Sequence, residues 1–216
     1  MLRKNFSKTY KLSVILIIFT GLWCSFKNAN SIISKLSYYT IQSNIMCLAL
    51  FTYSLIFEIL DLNYKTKNYY IIKGGIIIAI ILTGVIYHIA LLPGEFQMDA
   101  STKIIKVLSS ILLHGISPII VLVDYILFDK KGKFKYRYAI YWLAFPIYYV
   151  IYVYIYSYFG GKFYNIGGSK NYAYIFLDFK KIGIINVEIS IISIIIFLLL
   201  ISDILIAYDH KKKDHF

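Results

Sequence analysis

From Val187 to Tyr208 the chain reads VEISIISIIIFLLLISDILIAY, an apolar run long enough to cross a bilayer as a helix. It is the last of six such runs, and nothing constrains the fold more. The others extend from about Lys11 to Phe26, Ser37 to Leu60, Ile71 to Leu92, Ile104 to Phe128 and Tyr138 to Tyr158. Inside lipid every backbone N–H and C=O must bond within the protein, so a spanning segment is a helix or part of a closed barrel. Barrel strands are short and alternate in polarity. These runs are long and uniformly apolar. The predicted fold is therefore an all-α, polytopic membrane helical bundle, a single integral membrane domain over residues 1–216 with six transmembrane helices.

Composition agrees. Of the 216 residues, 59% are hydrophobic and 16% charged, whereas a soluble domain has about a quarter of its residues charged. The formal net charge of +12 sits in loops, tails and helix ends. It reads as topology signal and contact with anionic membrane lipids rather than as a nucleic-acid surface. With the amino terminus inside, fifteen of the 23 basic residues fall on inner segments. The positive-inside rule thus predicts a multi-pass protein of the cell membrane with both termini cytoplasmic. Lys11 and Lys73 are counted with that inner charge. The basic, then apolar, start resembles a signal peptide, but FTGLWCSF offers no small-x-small cleavage site, so a retained first helix is expected. The connection from Phe159 to about Asn186 is the longest and is dense in aromatics, which suits a segment folded at the outer interface.

A few polar side chains interrupt this pattern. Thr40, Ser43, Asn44 and Cys47 recur at i, i+3, i+4 and i+7 and share one helical face. They serve as helix–helix glue or as the lining of a site. Ser37 and Thr40 are also candidates to cap the second span. His114 lies near the middle of the fourth span, with Ser110, Ser117 and Asp124 close to the same face. An ionisable group at that depth is a functional candidate, although a neutral hydrogen-bonded imidazole also fits there. Pro118 lacks the N–H that would have bonded the His114 carbonyl, so a kink or another donor is required. His88 is placed toward the same outer cavity as Thr40. Glu58, Asp124 and Asp203 lie toward the inner helix ends and are expected to pair with inner lysines or with tyrosines of the fifth span. Cys24 and Cys47 read as small buried hydrophobes, and no spacing points to a metal or cofactor.

Two stretches carry a family resemblance. Tyr38-x-Thr40-x-x-Ser43-Asn44, within YYTIQSNIMCLAL, resembles a signature of the bacterial Pr6Pr membrane proteins. HGISPIIVLVDYILF resembles their segment in which a histidine is followed by a proline and an aspartate. YWLAFPIYYVIY and YAYIFLDFKKIG fit as well, so the likeness runs over nearly the whole chain. More distantly the set is similar to the eukaryotic androgen-induced and androgen-dependent multispan proteins, which hydrolyse fatty acid esters of hydroxy fatty acids. That resemblance implies an intramembrane threonine-dependent lipid ester hydrolase acting on a fatty ester, with Thr40 as nucleophile and His114 as its base. Ser43 or Asn44 would then be a candidate oxyanion donor. A non-enzymatic transporter or lipid-binding membrane protein, with His114, Asn44 and His88 lining a cavity, is the alternative that the residues alone also fit.

Overall fold

The computed structural model describes residues 2–27, 29–91, 100–165 and 168–212. It is an all-α bundle with six helices long and apolar enough to cross a membrane: Arg3–Lys27, Tyr39–Ile59, Lys67–Ile89, Ile104–Phe128, Tyr138–Tyr158 and Ile184–Lys211. They are the first to sixth spans. Leu92, the expected end of the third span, and Lys213, one of the inner charges, lie outside the described residues. Six crossings bring the first and last spans back to one side, here the near end of the bundle.

The third span is the axis of the fold. Some 67% of its most apolar stretch is buried, against 22% for the sixth. Ile77, Ile78 and Ile80 are fully enclosed, together with Val121, Val153 and Leu198 from three other spans. Close approach to this axis depends on Gly74. A β-carbon there would stand 2.1 Å from Cζ2 of Trp142, an indole that is itself buried and tied by its N–H to the Ile71 carbonyl at 2.9 Å. Gly74→Ala must displace that ring and is expected to lower stability by about 1–3 kcal/mol. Thermal unfolding in detergent reads this directly. Gly75→Ala, whose methyl would stand 3.3 Å from the indole, should be milder.

The first span begins well before Lys11, the boundary that hydropathy sets. Its extra turns are held by polar partners. Lys11 is buried and salt-bridged to Glu58 at 3.0 Å and to Asp124 at 3.5 Å. Ser7 donates to the same Glu58 carboxylate at 3.0 Å. Lys73 is likewise buried, between Asp124 and Asp129. Lys65 closes on Asp129 at 3.0 Å. Glu58, Lys11, Asp124, Lys73, Asp129 and Lys65 therefore form a ladder of alternating sign through the near end of the bundle. Lys11 and Lys73 belong to the core rather than to the surface charge with which the sequence groups them. Glu58 and Asp124 do pair with lysines, as expected. Asp203 is exposed, and Asp209 takes the tyrosine contact instead, accepting from Tyr125 at 2.5 Å and from the Phe134 N–H at 2.8 Å.

At the far end, the connection after the fifth span folds into a compact cap. Phe163–Asn165 and Gly168–Lys170 pair as an antiparallel hairpin, followed by a single 3₁₀ turn, Ile175–Leu177, and a short helix, Phe179–Ile182. Phe163, Tyr172, Tyr174 and Leu177 point inward and are buried. The Tyr164 N–H donates to Ser34 at 3.1 Å, and the Tyr38 hydroxyl donates to the Tyr164 carbonyl at 2.9 Å. Those bonds dock the cap onto the residues that lead into the second span.

Candidate functional site

The second span starts at Tyr39, and neither Ser37 nor Thr40 caps it. Tyr38 is the N-cap residue and makes no side-chain capping bond. Ser37 turns its hydroxyl to the Ile33 carbonyl at 2.8 Å and to the Tyr152 hydroxyl at 2.6 Å. The first N–H groups of a helix have no intrahelical partner and need an acceptor from elsewhere. Two phenols stand close to this helix start. The Tyr149 ring packs on Tyr39 with centroids 5.0 Å apart and passes its hydroxyl hydrogen to the Ser37 carbonyl at 3.2 Å. Tyr174 lies beside Tyr149, with centroids 6.3 Å apart, and near Thr40. It comes from the far-end cap, where sequence periodicity gives no signal.

The fourth span supplies the histidine through a local change of helical pitch. Residues Ile111–Ile116 form a π-helical turn, and the Ser117 N–H bonds the Leu112 carbonyl five residues back. Such a turn inserts one extra residue and is often found at functional sites. It lies just ahead of Pro118 and answers the missing N–H there. It also turns the imidazole toward the second span: Nε2 of His114 lies 3.1 Å from Oγ1 of Thr40. The two residues that the sequence singles out thus share one hydrogen bond between spans.

The ring's other contacts decide its tautomer. Nδ1 lies 3.1 Å from the Ser110 carbonyl, which can only accept. Nδ1 therefore carries the hydrogen, and Nε2 presents its lone pair to the Thr40 hydroxyl. Tyr87 stacks on the imidazole, with centroids 4.2 Å apart and planes at 21°. A carbonyl and a stacked ring hold this histidine, where a hydrolase triad has a carboxylate. Asp124 lies ten residues on, about 15 Å along a helix, and belongs to the ion ladder.

The shared face of the second span is buried, with Thr40 the outermost. Ser43 donates to the Thr40 carbonyl at 3.1 Å and lies 2.8 Å from the Thr83 hydroxyl. Asn44 sends its amide to the Thr40 carbonyl at 2.8 Å and to the Leu113 carbonyl at 3.2 Å. Ser117 donates to that same Leu113 carbonyl at 2.8 Å. Ser43 and Asn44 thus lock the backbones on which Thr40 and His114 stand. Their donors are already committed to the Thr40 and Leu113 carbonyls. His88 does not join the site: its side chain is exposed and its Nδ1 lies 2.7 Å from the Gly84 carbonyl.

An apolar cavity of about 290 Å³ lies against Tyr39, the neighbour of Thr40, although neither Thr40 nor His114 is among its lining residues. Tyr39, Tyr149 and Tyr174 line its inner wall, and Leu82, Ile86 and Ile194 are among the aliphatic side chains around it. Ile147 and Ile151 of the fifth span line it too, and both are also exposed on the bundle surface. Burial pushes the Tyr174 phenol up to about 12, so it is protonated at neutral pH. Among the described residues no three His, Cys, Asp or Glu side chains converge as a metal site requires. No protein-family model matches the chain, and comparison with curated proteins and with solved structures gives no match either.

Proposed function

We propose that this polytopic membrane protein is an ester hydrolase working within the bilayer, with Thr40 as nucleophile and His114 as general base, on an ester carrying an aliphatic chain. The observation that carries this reading is the 3.1 Å contact between Oγ1 of Thr40 and Nε2 of His114, with Nδ1 committed to a carbonyl. A threonine hydroxyl is a weak nucleophile until a base removes its proton. A neutral imidazole within hydrogen-bond reach supplies that base. Family resemblance points the same way and names the same two residues. The aliphatic chain is assigned to the apolar cavity behind Tyr39 and Tyr174.

In the proposed reaction Oγ1 attacks the ester carbonyl carbon while Nε2 takes the hydroxyl proton. The tetrahedral oxyanion collapses, the bond to the alcohol oxygen breaks, and Nε2 returns the proton to the departing alkoxide. Water then repeats the sequence on the acyl-threonine and releases the acid. Tyr174 is the oxyanion donor in this scheme, because its protonated phenol lines the apolar cavity close to the start of the second span. Removing one such donor typically lowers turnover about 10²–10³-fold.

Covalent labelling of the purified protein by a fluorophosphonate probe tests the reading. Wild type should label and Thr40→Ala should not. Tyr174→Phe should label roughly 10²-fold more slowly, since the phosphonyl oxygen uses the same donor. A Thr40→Ala protein that labels like wild type would sink the assignment. No labelling of a folded wild type would favour a lipid-binding or transport role for the same cavity.

A further inference from the structure

The near end of the bundle holds a second cavity, unrelated to Thr40 and larger, at about 530 Å³. It lies between the start of the first span, the end of the second, residues 61–65 and the turn after the fourth span. Two carboxylates line it, and each is already committed. Glu58 pairs with Lys11 at 3.0 Å and accepts from Tyr64 at 2.6 Å, and Asp61 pairs with Lys4 at 2.8 Å. Lys65, also in the wall, is bound to Asp129 at 3.0 Å. Lys8, Lys130, Lys133 and Arg3 line the same cavity and bring four further positive charges, Arg3 donating to the Leu127 carbonyl at 3.0 Å, with no third carboxylate among the lining residues. At its base Tyr70, 2% exposed, keeps a buried hydroxyl with no hydrogen-bond partner.

Like charges gathered around one cleft raise each other's energy, and a buried hydroxyl hydrogen without an acceptor is costly. One kind of ligand relieves both. A phosphate group carries a full negative charge and several acceptor oxygens, enough to meet lysine ammoniums and a phenol together. Leu62 and Phe128 give the cavity an apolar flank. The site stands where helices of the bundle end, which is the level of lipid headgroups.

We infer that this cavity is a phosphate-binding site, with Lys8, Lys130 and Lys133 supplying the charge and Tyr70 a hydrogen bond at the base. The two ends of the ion ladder, Glu58 and Lys65, open into it. Occupancy therefore steadies the element that joins the first, second, third and fourth spans. The phosphate reaches the cavity either on a phospholipid headgroup or as a soluble phosphate ester.

The test is thermal unfolding of the full chain in dodecyl maltoside micelles, which carry no phosphate, with phosphatidylglycerol added to the micelles. Parallel arms add glycerol phosphate, inorganic phosphate or chloride at matched ionic strength. The expected result is a rise in Tm of roughly 5 °C with the phosphate ligand. It should be lost in the triple variant Lys8→Gln, Lys130→Gln, Lys133→Gln and kept in Lys180→Gln, Lys181→Gln at the far end. A rise with phosphatidylglycerol alone assigns the headgroup, and an equal rise with glycerol phosphate assigns a soluble ester; both support the site. Equal Tm values of wild type and triple variant in dodecyl maltoside alone would show that the variant folds. No rise in wild type, or an undiminished rise in the triple variant, overturns the inference.

Discussion

His114→Ala should slow fluorophosphonate labelling and ester turnover about 10²–10⁴-fold while leaving the unfolding temperature close to that of wild type. The imidazole makes one side-chain bond to Thr40, one to its own helix and a stack on Tyr87, so little of the packing depends on it. Its value in the proposed reaction is to hold a proton between attack and departure. The fall should therefore appear in kcat, with KM nearly unchanged. His114→Gln is the sharper comparison. Glutamine can accept a hydrogen bond from Thr40 but cannot carry the proton, so it should be as slow as alanine. Labelling of the glutamine variant at the wild-type rate would mean that the contact only positions Thr40. Slow alanine labelling restored by added imidazole would identify proton transfer as the missing step.

The helical face that carries Thr40 is legible in sequence because its polar side chains repeat at a helical period within an apolar run. His114 is legible because an ionisable residue deep in a span is expensive. Their meeting is not, for a reason that lies in backbone geometry. Regular helical spacing leaves Thr40 near the membrane surface and His114 deeper. The approach to 3.1 Å goes with the π turn at Ile111–Ile116 and the docking of the far-end cap on the start of the second span. Tyr174 is hidden for a related reason. It lies in a connection without periodicity, and only the docking of the far-end cap brings it to the start of the second span. Lys11 and Lys73 are not legible as core residues, because hydropathy treats every lysine as a boundary. Whether a lysine ends a span or lies inside it depends on the carboxylates that neighbouring helices bring, and that is a tertiary fact.

The ion ladder leads to the largest expected loss of stability. Lys73→Met should destabilise the bundle by about 3–5 kcal/mol, the usual consequence of removing one partner from a buried ion pair. The change leaves Asp124 and Asp129 within the core without the ammonium that separates them. Lys11 still reaches Asp124, but only at 3.5 Å, and Lys65 holds the other oxygen of Asp129. Burial alone would raise the Asp129 carboxyl; Lys73 and Lys65 overcome that and hold it below its ordinary value. Its contribution to stability is accordingly present above a pH of about 4 and is lost as the pH falls through the lower, folded value. Without Lys73 that loss should begin at higher pH. Unfolding curves for wild type and Lys73→Met from pH 3 to 7 should therefore converge toward acid and separate toward neutrality. Adding Asp124→Leu and Asp129→Leu to Lys73→Met should restore much of the stability, since a packed apolar replacement of a buried ion cluster is often neutral or better. If the triple variant were no more stable than Lys73→Met, the loss would come not from the uncompensated carboxylates but from the ammonium's contacts with the Phe51 and Tyr69 rings, at 5.8 and 5.6 Å.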